Sequence, residues 1–202
     1  MKLKIFSTEI ELSYTLLCLV ALCIVSGTFQ GFLWCSAAIL IHESGHFLAM
    51  KHYGYFPERI KISLFEIAVT DRLRRQRRDR ENFFIIFFCP FANFVCVPPL
   101  YLLYLKGIVA VLPFAAANLS VGLFNCLPAM SLDGGQILYL LMCRKYSQHT
   151  AERIVNTATF LSVFPLAAIG FIMLLQSKKN FSLLFISGYL TASLICRSDR
   201  YY

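Results

Sequence analysis

Apolar runs long enough to cross a bilayer recur near residues 12–28, 29–50, 83–105, 107–128, 155–176 and 181–196. A spanning helix needs about 20 mainly apolar residues, with about 17 as the lower limit, and the first and last runs lie near that limit. The first two are nearly continuous and part at Ser26-Gly27-Thr28. The pattern predicts an all-α polytopic membrane protein of about six helices, folded as a single domain over residues 1–202. One segment departs from it. Between the second and third runs, Arg59-Ile60-Lys61-Ile62-Ser63-Leu64-Phe65-Glu66-Ile67-Ala68-Val69 partly alternates polar and apolar residues, the period of a half-buried strand. A short amphipathic β-strand or hairpin at the membrane surface is expected there, in the loop after helix 2.

Composition agrees. Hydrophobic residues make up 58% of the chain and charged residues 15%, against about 25% charged in an ordinary soluble domain. That apolar surplus exceeds what a core of this size can hide from water, and the lipid bilayer is the natural solvent for the rest. Charge then orients the helices. With the N-terminus in the cytoplasm, sixteen basic residues fall in cytoplasmic segments, nine of them within 51–82; only Lys106, Lys178 and Lys179 fall outside. This bias satisfies the positive-inside rule and puts both termini in the cytoplasm. The net charge of +8 therefore reports topology, and no nucleic-acid partner is expected. The basic run from Asp71 to Arg80 reads as a solvated loop beside anionic headgroups. A cleaved signal peptide is the rival reading of residues 1–25. Glu9 and Glu11 in its n-region, and the lack of a small-x-small cleavage site, favour a retained helix. The eight cysteines sit mostly within apolar runs and form no C-x-x-C pair, so they read as small hydrophobes.

Within the second run, His42-Glu43-Ser44-Gly45-His46 fits H-E-x-x-H. On a helix, positions i and i+4 share one face, so both imidazoles can reach one ion. Glu43 lies on the adjacent flank, where it can act as a base toward water without ligating the metal. Residues 29–41 carry no charge, and then three ionisable groups arrive within five positions. Such groups inside a membrane helix are expensive and usually functional. A polar cap near Lys51 and His52 is the plain alternative, but a cap has no need of this spacing. Catalytic zinc takes three protein ligands and keeps one position open. Candidates for the third are Asp133, His52, Glu66, Asp71, Asp79, Glu81, His149 and Glu152. Only Asp133 lies amid apolar helices, and the expected topology puts it on the same cytoplasmic side as the histidines. It follows Pro128 and precedes Gly134-Gly135, at a break toward the cytoplasmic end of the fourth helix. Such breaks are tolerated in membranes only where backbone groups find partners.

Two motifs in order resemble the site-2 proteases, the intramembrane zinc metalloproteases. His42–His46 is similar to the family's H-E-x-G-H, and residues 125–134, Asn125 to Gly134, match N-x-x-P-x-x-x-L-D-G position by position. Cys89-Pro90-Phe91-Ala92-Asn93 resembles a third pattern, G-P-x-x-N, with cysteine in place of glycine. The resemblance implies one Zn2+ per chain on His42, His46 and Asp133, with Glu43 as catalytic base. It sets Asn125 and Asn93 beside the substrate or the developing oxyanion. The compact arrangement is similar to the sporulation-type branch, here without a CBS domain. The implied partners are a membrane-tethered protein substrate, such as a sigma or anti-sigma factor precursor, and an inhibitory membrane partner. The implied location is the bacterial plasma membrane, with the active site toward the cytoplasm. The expected function is an intramembrane zinc metalloendopeptidase that cuts in or near a membrane-spanning segment of a precursor, in regulated intramembrane proteolysis. A zinc transporter or a catalytically silent membrane scaffold are the alternatives. A transporter has less need of Glu43, and a silent scaffold would be expected to lose one of His42, Glu43, His46 or Asp133.

Overall fold

The computed structural model describes residues 2–5, 8–12, 20, 24–25, 27–55, 59–62, 67–70, 77–177 and 188. The run expected at 181–196 lies outside the described residues but for residue 188, and most of the run at 12–28 lies outside them too. Backbone contacts divide the chain into two compact units, Met1–Gly122 and Leu123–Tyr202.

The first unit holds a four-stranded sheet of β1 (Lys2–Ile5), β2 (Thr8–Leu12), β3 (Arg59–Ile62) and β4 (Ile67–Thr70), in that spatial order. β1–β2 and β3–β4 are antiparallel, while β2–β3 is parallel. The β3–β4 pair falls where the alternation of 59–69 leads one to look. The β1–β2 pair comes from a stretch read above as the approach to a first helix. Its register puts Lys2 opposite Glu11 and Lys4 opposite Glu9; across to β3, Glu9 stands opposite Arg59 and Glu11 opposite Lys61.

Helix α1 (Phe29–His52) follows Gly27, whose φ of 70° turns the chain into it. It ends in a Schellman turn: Gly54, at φ 76°, donates its N–H to Lys51 O, and Tyr55 donates to Met50 O. Lys51 and His52 in the last turn complement the helix dipole. Helix α2 (Asp79–Leu105) opens with a capping contact in which Glu81 accepts from the Arg78 N–H. The same carboxylate oxygen accepts from the Tyr55 hydroxyl at 2.7 Å, and the Arg77 guanidinium lies 4.4 Å over the Tyr55 ring. The Glu81 hydrogen bond holds the Tyr55 phenol above its usual pKa, and burial pulls the Arg77 guanidinium below its own. A 3-10 turn (Val109–Val111) leads into α3 (Leu112–Asn125).

The helices bury small and polar residues with a few larger apolar ones, and expose many large apolar side chains. On α1 the buried stripe is Ala38, His42, Gly45 and Ala49, at spacings of four and three. On α2 it is Ile85, Ile86, Cys89, Pro90 and Asn93. The outer faces carry Leu33, Leu40, Phe47 and Leu48 on α1, and Phe84, Phe87, Phe88 and Phe91 on α2. Water would penalise so much contiguous apolar surface; a hydrocarbon solvent does not. Among the described residues, α2 is the one helix both long and apolar enough to cross a membrane. The fourth expected run is shorter than predicted: its α-helix stops at Asn125.

In the second unit, a turn from Cys126 to Leu132 joins α3 to α4 (Asp133–Cys143), and α5 (Gln148–Ser177) follows. Ala129 and Val163 form a small core there, with Phe124 and Leu132 packed against it.

Candidate metal centre

His42 and His46 stand one turn apart on α1. Their ring centroids are 5.5 Å apart and their planes perpendicular. His42 is buried, while Glu43 and His46 are partly exposed. Metal-capable atoms of His42, His46 and Cys89 lie within 4.8 Å of one another. Two imidazoles with converging nitrogens, one buried against hydrogen-bonding partners, suit zinc's preference for nitrogen and sulfur donors. Cys89 lies at hydrogen-bonding distance of its own helix, with its thiol toward Ile85 O at 3.2 Å.

Gly45 explains why α1 and α2 approach so closely here. A Cβ on Gly45 would sit 2.8 Å from Phe88 O and 2.9 Å from Cys89 Cα, both backbone atoms of α2. The cysteine that replaces a glycine in the α2 motif therefore does not hold the helices apart; the missing side chain is on α1.

Asn93 is fully buried on α2, and so is Asn118 on α3. Asn93 Oδ1 faces His42 Nδ1 at 3.1 Å. Its Nδ2 donates to Ala38 O at 2.9 Å and to Asn118 Oδ1 at 3.1 Å. Asn118 Nδ2 in turn donates to Phe114 O at 2.9 Å. The sequence sets Asn93 beside substrate or oxyanion. Here both its amide hydrogens already go to protein acceptors, so this side chain has no donor for an oxyanion. Asn118, a residue without an assigned role in the sequence, completes the chain of amides.

In the second unit, Asn125 is the last residue of α3, and Asp133 is the first of α4. This corrects the expectation of Asp133 on a broken fourth helix: it opens a new helix, buried, where the dipole favours a carboxylate. The intervening turn closes on Ala129 N–H to Leu127 O and Leu132 N–H to Ala129 O, both at 2.8 Å. Any Cβ on Gly134 would collide with the Cys126 carbonyl, and one on Gly135 with that of Ala129. Hence glycine at both positions. Thr159 on α5, which no sequence motif marks, accepts from Met130 N–H at 3.2 Å and reaches Pro128 O at 3.3 Å and Val155 O at 2.8 Å.

Residues 101–166 match the model of peptidase family M50. The match includes the Asn125–Asp133 segment and leaves out His42–His46. The chain is also 25% identical, over 152 residues, to a zinc metalloprotease of Methanocaldococcus jannaschii, covering 69% of this chain and 44% of that protein. The chain thus spans less than half the length of that curated relative. Both likenesses are to metalloproteases.

Proposed function

We propose that the chain is an intramembrane zinc metalloendopeptidase. The observation that carries this reading is the pair His42–His46 on one face of α1, with His42 buried against Asn93 and Glu43 on the flank. The likeness to metalloproteases and the lipid-suited helix surfaces support it.

In this reading His42, His46 and Asp133 hold one Zn2+ per chain. Zinc in such a site supplies Lewis acidity and makes water ionise near neutral pH. Glu43 accepts the proton of the attacking water and passes it to the leaving amine. Asn125 donates to the oxyanion. The substrate is a membrane-tethered precursor protein, with the sigma and anti-sigma precursors of the resemblance as its first candidates, cut in or near its spanning segment. The six-span arrangement, both termini in the cytoplasm, and kinship with the sporulation-type branch belong to this proposal.

Its test is metal content. Purified wild-type chain should carry one zinc, and His46→Ala or Asp133→Ala should lose most of it. Asp79→Ala, at the exposed start of α2, should keep it. Full zinc in Asp133→Ala would remove that residue from the ligand set.

A further inference from the structure

We infer that Asn93 and Asn118 are positioning residues that fix the tautomer of His42 and so select Nε2 as its ligating atom. The inference deepens the zinc-protease reading above and rests on it for its purpose. The tautomer itself follows from hydrogen bonds alone.

The orientation of each amide is set by a backbone carbonyl, which can only accept. Phe114 O requires the Nδ2 of Asn118, at 2.9 Å, and so turns Asn118 Oδ1 toward Asn93. Ala38 O requires the Nδ2 of Asn93, also at 2.9 Å. Asn93 therefore meets two acceptors with its one NH2 group, and its Oδ1 is left facing His42 Nδ1 at 3.1 Å. Flipping Asn93 would put its oxygen against both Ala38 O and Asn118 Oδ1. An amide oxygen has no hydrogen to give, so the proton in this contact belongs to His42 Nδ1. Neutral imidazole carries one N–H, and its lone pair then lies on Nε2.

This matters because a neutral histidine ligates only through the nitrogen that lacks the proton. A free imidazole side chain favours the Nε2–H form, which would present the wrong atom. Both asparagines are fully buried, so bulk water is not at hand to reorient them. The acceptor that closes the arrangement, Ala38 O, lies one turn before His42 on the same helix. The ring and the amide that orients it are thereby referenced to one backbone. Such partners of ligating histidines typically change metal affinity by 10- to 100-fold when removed.

The test is 15N NMR of histidine-labelled, metal-free full chain in detergent, at about pH 8, above the ordinary histidine range. His42 is assigned by the signals missing from His42→Gln. Imidazole 15N shifts distinguish the two tautomers directly. His42 should carry its proton on Nδ1 in the wild type. Asn93→Leu should shift it toward Nε2–H, and Asn118→Leu should do so less. Zinc affinity should fall about 10- to 100-fold in Asn93→Leu. An Nε2–H tautomer for His42 in the wild type would overturn the inference whatever the asparagine variants do. So would a folded Asn93→Leu chain with wild-type zinc affinity. A wild-type chain with the Nδ1–H tautomer but no zinc binding would instead sink the protease reading and leave the amide relay standing.

Discussion

Gly45 shows how a single missing atom builds a site. H-E-x-x-H needs only its histidines and glutamate, yet the fourth residue here decides how near α2 can come. A Cβ there would press on the backbone of Phe88 and Cys89, and backbone cannot rotate away. Gly45→Ala should therefore part the two helices and destabilise the chain by about 1–3 kcal/mol, as overpacking does. Thermal unfolding in detergent would register it, and a larger Gly45→Val effect should follow. Asn93 teaches a second residue-scale lesson. Its place in a polar motif made it look like a substrate contact, but its hydrogen bonds turn inward to Ala38 and Asn118. Sequence can flag such a residue as chemical; only the partners tell which chemistry.

At the scale of elements, the helix that carries the histidines was readable almost to its ends: a run expected at 29–50 forms Phe29–His52. Long apolar periodicity leaves little ambiguity. The sheet was half readable. Alternation at 59–69 is long enough to notice, whereas Lys2–Ile5 and Thr8–Leu12 are four and five residues long and adjoin an apolar run. The Asp133 turn was readable as a break, from Pro128 and the glycine pair, but not as the start of a new helix. What pins it is Thr159, 27 or more positions away in sequence from every residue of that turn, and no local pattern announces a contact of that range. Thr159→Val should lose the acceptor for Met130 N–H and the donor toward Pro128 O. A buried loss of this kind costs about 1–3 kcal/mol, and Thr159→Ser should recover much of it. Limited proteolysis at 126–132, compared among the three proteins, would report it.

For the whole molecule, the governing fact is which solvent the surface suits. Phenylalanine and leucine dominate the outer faces, while His42, Asn93 and Asn118 are buried among alanine, cysteine and isoleucine, and such a surface suits hydrocarbon better than water. The charge bias then predicts a sidedness that can be measured. Lys106→Cys should react with a membrane-impermeant thiol reagent added to intact cells. Lys145→Cys should react only in inverted vesicles. The opposite labelling would reverse the orientation and put the histidines toward the outside.

In the proposed reading Glu43 is a proton carrier beside a zinc held by His42, His46 and Asp133. The most direct measurement compares wild type with Glu43→Gln in liposomes, scoring zinc content and cleavage of a membrane-tethered precursor together. Both should carry one zinc per chain, and cleavage should be lower in the variant by about 10²- to 10⁴-fold, the usual contribution of a general acid–base group. Undiminished cleavage by zinc-loaded Glu43→Gln would contradict that reading.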